Sequence, residues 1–147
     1  MGVAPAAVGS ETAHVPRVDR RARLLRRLAG MPGAVEDYPF GEDTAVFRVG
    51  SAPDGSPGRM FALVSLTGAI GWVNLKLDPA LVTELVATHR SVAPGWHMSK
   101  RHWVTVTLDT GMDDALLAEL VEHSYALVVA KLPARLRPPK TAVVELR

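Results

Sequence analysis

The chain has no cysteine. That excludes disulfides, thiolate metal sites and cysteine nucleophiles, so packing alone must hold the core. Its apolar runs are too short to cross a bilayer. No apolar stretch follows a basic N-terminus, so no signal peptide is expected and the cytoplasm is the expected compartment. Neither standard Gly-rich phosphate loop is present. Net charge is only +2, which by itself points to no polyanionic partner. Aromatic residues make up just 5%, so the places where they gather carry information.

What is present suits one globular domain. The 147 residues are 48% hydrophobic and 22% charged, enough to bury a core without staples. Charge is unevenly spread. Arg17, Arg20, Arg21, Arg23, Arg26 and Arg27 crowd one segment, and Lys131, Arg135, Arg137, Lys140 and Arg147 populate the tail. Acidic residues gather elsewhere, at Glu36-Asp37, Glu42-Asp43, Asp113-Asp114, Glu119 and Glu122. The arginine run reads as the solvated flank of a helix, with a phosphate-binding face as the sharper alternative.

Residues 1–15 are small, without periodicity, and read as a flexible leader to a domain over 16–131. Pro16 suits the start of a helix that ends at Gly30 and Pro32, with Val18, Ala22, Leu25 and Leu28 on one face. Met31 to Asp43 reads as a loop. Strands are expected over Thr44–Val49, Arg59–Leu66 and Ile70–Leu77, the first two joined by the long Gly50–Gly58 loop. Asp78-Pro79 opens a helix to about His89, buried through Leu81, Val82, Leu85 and Val86. A fourth strand spans Trp103–Leu108. A last helix runs from Asp113 or Asp114 to about Lys131, with Leu116, Leu117, Leu120, Val121, Ser124, Leu127 and Val128 on one side. Residues 132–147 form a C-terminal extension in which Thr141–Leu146 is either a short strand or a free tail.

Alternation then assigns faces. Val104, Val106 and Leu108, with Val73, Leu75 and Leu77, supply the apolar face that helices need. Trp103, Thr105 and Thr107, with Ile70, Trp72, Asn74 and Lys76, fall on the other. Large aromatics on an uncovered sheet face mark a binding surface. The bland alternative is a second, smaller core, roofed by the Tyr38–Phe40 loop or by residues 94–102.

The densest chemistry lies in Pro94-Gly95-Trp96-His97-Met98-Ser99-Lys100-Arg101-His102-Trp103. Two tryptophans, two histidines, a lysine and an arginine fall within ten residues. Rings beside cations suit a surface that grips a ligand.

This segment, together with Leu28-Ala29-Gly30-Met31-Pro32-Gly33-Ala34, Glu36-Asp37-Tyr38-Pro39-Phe40-Gly41, Arg59-Met60-Phe61-Ala62-Leu63, Leu75-Lys76-Leu77-Asp78-Pro79 and the His123-Ser124-Tyr125 run, resembles the MmcQ/YjbR-like family. The motifs stand in order over residues 17 to 131. The resemblance implies an α+β fold: a single compact two-layer domain with a curved antiparallel sheet and helices packed on one face, similar to the CyaY (frataxin-like) fold. It also implies DNA binding through a "double wing" surface. The chain departs from the family pattern at Arg59, where lysine is commoner, at Trp96, where Tyr or Phe is commoner, and at Val104, which replaces an Asn.

The expected function is therefore non-enzymatic DNA binding. Arg59, Lys76, Lys100 and Arg101 would meet phosphates. Trp72, Trp96 or Trp103 would stack on bases. Asn74, His97 and His102 would reach base edges. Tyr38, Phe40 and Ser124 form a secondary set. One alternative is an anionic small-molecule or enzymatic site under the 94–102 loop, with histidine as base. No nucleophile–base–orienter order is visible to support it. The other is a protein-interaction face, a homodimer included. No cofactor is expected. No metal is expected either, because His97 and His102 lack a third ligand and the first helix carries arginines where a cation ridge needs acids.

Overall fold

The computed structural model describes residues 17–139. The elements in chain order are α1 (Arg17–Ala29), β1 (Val35–Asp37), β2 (Thr44–Val49), β3 (Arg59–Ser65), β4 (Trp72–Lys76), α2 (Pro79–Thr88), β5 (Val92–Pro94), β6 (Trp103–Thr107), α3 (Asp114–Ala130) and a 3-10 turn at Ala134–Leu136. The expected leader and the Thr141–Leu146 segment lie outside the described residues. The strands make one six-stranded antiparallel sheet in the order β1-β2-β3-β4-β6-β5. The α+β class is as expected.

Local chemistry sets the helix ends. Pro79 occupies the first turn of α2, where a missing N–H costs nothing. At α3, the Asp113 carboxylate accepts from the Leu116 N–H at 3.1 Å, a true N-cap. Two strands were hidden within expected loops. β1 lies inside the Met31–Asp43 stretch and β5 at the edge of the Trp-rich segment. Each has three residues and sits at an edge of the sheet, too short to show a period of two.

Register fixes the two faces. Ala45, Val64, Val73, Val106 and Val92 pair in one row across the sheet. All five are buried in the main core beneath the helices, with Leu117, Leu120, Val121 and Val128 of α3 and Val82 and Leu85 of α2. From α1, Leu24 and Leu28 are buried and Leu25 is half-buried, a slight rotation from the expected stripe. A row of opposite parity runs Asp37, Val46, Leu63, Asn74, Thr105, Ala93. It faces away from the helices.

Two arginines of α1, Arg20 and Arg21, act as clamps, while Arg23, Arg26 and Arg27 stay exposed as the expected solvated flank. Arg20 Nη1 donates to Asp109 O at 3.0 Å and Met112 O at 2.6 Å, and its Nε pairs with Asp114 at 3.2 Å. Arg21 Nη2 donates to Gly68 O at 2.7 Å and Thr67 O at 3.2 Å in the β3–β4 turn. Arg23 and Arg27 reach Asp114 and Glu122 on α3. Carbonyls of the same chain thus occupy the Arg20 and Arg21 guanidiniums.

One defect in the sheet is repaired by a helix. Phe47 pairs with Ala62, but Arg48 pairs with Met60. Phe61 is the extra residue of a bulge. Phe61 and Ala62 both enter the main core, while Met60 joins the opposite face. The β3–β4 pairing extends only as far as Ala62 and Leu75. Beyond it, buried Ser124 of α3 bridges the strands. Its hydroxyl donates to Phe61 O at 2.6 Å and accepts from the Lys76 N–H at 2.9 Å. Ser124→Ala leaves both backbone groups without a partner and is expected to cost about 2–3 kcal/mol. Urea unfolding measures this, and a loss under about 0.5 kcal/mol, the range of a neutral surface change, would show that the bridge contributes nothing.

Candidate functional site

The face opposite the helices carries Trp72, Asn74 and Lys76 from β4 and Trp103, Thr105 and Thr107 from β6, paired strand to strand. Val73 and Val106 lie beneath the helices, so the alternation argument holds for both strands. The sequence candidates divide on this face into a buried support and an exposed edge.

Trp103 belongs to the support. It is buried and forms a second cluster with Val46 and Leu63, edged by Met60, Trp72 and Met98. Met98 comes from the 94–102 segment, so that segment supplies part of the roof. Tyr38 and Phe40 do not, being 44% and 63% exposed. The Tyr38 hydroxyl donates to the Glu36 carboxylate beside it, which raises the phenol above its usual range.

Asn74 is also support. Its side chain is buried, its Nδ2 donates to Trp96 O at 3.3 Å, and its Oδ1 accepts from Thr105 Oγ1 at 2.6 Å. Thr105 Oγ1 in turn accepts from the Trp96 N–H at 2.8 Å. An amide and a hydroxyl together grip both backbone groups of Trp96. Asn74 therefore has little left with which to read a base. Ser124, likewise, has its hydroxyl occupied by the bulge.

The 94–102 segment is a structured turn. Gly95 N–H donates to Trp103 O at 2.8 Å. A Cβ at Gly95 would lie 2.7 Å from Trp103 Cβ, so only glycine permits this approach. Lys100 Nζ donates to Gly95 O at 2.8 Å, which draws its ammonium back onto the turn. His97 has φ of 60°, a left-handed conformation uncommon for a residue with a Cβ.

The exposed edge follows from that turn. Trp96 is 55% exposed. Its ring meets half-buried Trp72 edge-to-face at 6.1 Å and stacks on His97 at 4.9 Å. Arg101 and His102 are exposed, and among the described residues neither side chain has an ion-pair or hydrogen-bond partner. Lys76 is half-buried at the end of β4, and Arg59 is exposed at the start of β3. Burial, and then the charges of Lys131 and Arg59, hold the Lys76 ammonium below the usual lysine range.

One feature escaped sequence reasoning. Arg48 pairs with Asp37 at 3.2 Å across β1 and β2; no sequence signal marked that pair, because β1 itself was not visible. The Gly50–Gly58 loop ends in Asp54, whose carboxylate accepts from Ser56 Oγ and N–H and is held below its usual range. The loop tip is therefore firmly anionic. Among the described residues there is no group of three or more His, Asp or Glu placed to hold a metal ion, and no helix is long and apolar enough to cross a membrane.

A one-sided antiparallel sheet with an aromatic, cationic turn over its open face defines a small α+β domain. The chain belongs to the YjbR family, whose model matches residues 29–127. It is 35% identical over 98 residues to the uncharacterised protein YbdF of Escherichia coli O157:H7, covering 67% of this chain and 75% of that protein. It is 37% identical over 78 residues to the uncharacterised protein YjbR of Escherichia coli K12, covering 53% of this chain and 66% of that one. Among solved structures, Deinococcus radiodurans protein DR2400, with a DUF419 domain, superposes with a TM-score of 0.66 at 43% identity, over 73% of this chain and 77% of its own. A Pseudomonas syringae protein superposes with a TM-score of 0.59 at 26% identity, over 74% and 97%.

Thr105 tests the support directly. Thr105→Val keeps the shape but leaves the Trp96 N–H and Asn74 Oδ1 without their partner. The expected cost is about 1–3 kcal/mol, with faster hydrogen exchange at the Trp96 amide. Unchanged exchange at that amide would show that the turn is held by other means.

Proposed function

We propose that the protein is a non-enzymatic DNA-binding protein that takes exposed bases of a single strand onto Trp96. The observation that carries this reading is the half-exposed Trp96 ring, stacked on His97 and backed by Trp72, beside free cationic side chains. More than half of the Trp96 surface stays open to solvent while its backbone is fixed from beneath. Stacking of this kind accepts any base. Arg101, Lys76 and Arg59 supply the charge for a backbone running past it, a sequence-blind attraction weakened by salt. Buried Asn74 and Trp103 hold the platform, and Lys100 shapes the turn.

The reading favours general over sequence-specific binding, because the amide best suited to a base edge is committed to Trp96. The one-sided sheet suits a CyaY-like fold, and the cytoplasm suits a cysteine-free chain. The double-wing picture needs one change. The Asp54 tip of the Gly50–Gly58 loop repels phosphate, so contact is placed on the turn and not on this wing. A left-handed His97 also fits a functional turn, since such strain tends to persist where the surroundings enforce it.

The test is a titration of a labelled single-stranded oligonucleotide at two salt concentrations. Trp96→Ala is expected to weaken binding about 5- to 100-fold, the worth of one stacked base. Arg101→Ala is expected to lower the slope of log affinity against log salt by about one. No binding at low salt, or binding that ignores salt, overturns the reading. Concentration-dependent mass in place of binding would assign the same face to a second copy of the chain.

A further inference from the structure

A recess of about 330 Å3 opens at the end of the sheet, with no residue of the 94–102 turn in its lining. Its lining is Arg48, Gly58, Arg59, Met60, Lys76, Val128 and Lys131. Four of these carry positive charge and none carries negative charge. They come from three strands and from the end of α3, brought together only by the fold.

The four cations are not spent on one another's counter-ions. Arg48 alone is paired, through Nε to Asp37 at 3.2 Å, while its Nη1 donates to Gly58 O at 3.2 Å. These bonds fix the guanidinium at one wall. Among the described residues the side chains of Arg59, Lys76 and Lys131 have no ion-pair or hydrogen-bond partner. Like charges held close without counter-ions are unfavourable; burial first, and then the charges of Lys131 and Arg59, hold the Lys76 ammonium below its usual range.

Helix α3 would ordinarily oppose an anion here. Its C-terminus carries partial negative charge, and a cation such as Lys131 at that end is usually explained by it. In this chain the task falls to Arg137. Its Nη2 donates to Ala130 O at 3.2 Å and its Nε to Leu132 O at 3.0 Å. The helix end is already capped by a guanidinium, which leaves the Lys131 ammonium available to the recess. The backbone is close-set as well: a Cβ at Gly58 would lie 2.2 Å from Val49 O, so the rim at Gly58 admits only glycine.

We propose that this recess receives a phosphoryl group, with Arg59, Lys76 and Lys131 as its charge partners and Arg48 as a fixed wall. Guanidinium and ammonium groups together suit a compact, multiply charged oxyanion. The group comes either from a small phosphate ester or from the terminal phosphate of a nucleic-acid strand. The recess shares Arg59 and Lys76 with the strand path proposed above, but Arg48 and Lys131 belong to no part of that surface, so the inference does not rest on stacking at Trp96.

Calorimetric titration with inorganic pyrophosphate, at constant ionic strength, tests it in the full chain. The expected result is saturable binding that weakens about tenfold or more in Lys131→Gln, the worth of one charge-assisted bond. Lys131→Arg should restore it, and Trp96→Ala should leave it unchanged. A second arm compares oligonucleotides with and without a 5′-phosphate. Tighter binding of the phosphorylated strand, lost in Lys131→Gln, assigns the group to nucleic acid. Pyrophosphate binding without that preference assigns it to a small ester. If neither pyrophosphate nor the 5′-phosphate responds to Lys131→Gln, the proposal is overturned, whatever Trp96→Ala does to strand binding.

Discussion

Helices cover one face of this sheet and leave the other to find its own shelter. The exposed row would place Val46 and Leu63 in water, yet both are buried. Trp103 packs with them in one buried cluster, and Met60, Met98 and Trp72 pack against it. A tryptophan suits that duty because one rigid side chain covers a large apolar area. The turn that follows β5 must then pass close over Trp103, which is why Gly95 stands where it does. Trp96 is pushed outward by the same geometry. The buried ring and the exposed ring are two results of one constraint.

Charge follows a similar division. The arginine-rich helix α1 looks like the most basic surface in the sequence, but Arg20 and Arg21 close loops by donating to carbonyls. The unpaired cations of the open face and the recess are far apart in sequence: Arg59, Lys76, Arg101 and Lys131. They lie where strands end or a helix stops. Net charge therefore misleads in both directions for this chain. The densest run of positive charge is partly internal bracing, through Arg20 and Arg21, and the charge of the open face is assembled by the fold from single residues.

Much of the architecture was legible in advance, for physical reasons. β4 and β6 alternate, Val73 and Leu75 against Asn74 and Lys76, and Val104 and Val106 against Thr105 and Thr107, so their faces follow from a period of two. Asp78-Pro79 and Asp113 mark helix starts because proline and carboxylate each solve a particular problem of the first turn. The three-residue strands β1 and β5 gave no period to read. Nor could the bulge at Phe61 be seen, since it arises from a mismatch between two strands and not from either one alone. The site was legible only as a neighbourhood. That Trp72 and Trp103 share a face follows from alternation. That Asn74 and Ser124 have their hydrogen bonds filled, and that Arg48 and Lys131 meet Arg59 and Lys76, depends on contacts between distant segments.

The account turns on Trp96 being the ring that meets a ligand while Trp103 stays sealed beneath it. Hydroxyl-radical footprinting of the three tryptophans, with and without a single-stranded oligonucleotide, separates them in one measurement. In the free protein Trp96 should react fastest, Trp72 more slowly and Trp103 least. With the strand added, Trp96 alone should become protected. Equal reactivity of the three rings, or a Trp96 that stays fully reactive in the presence of a bound strand, would contradict the account.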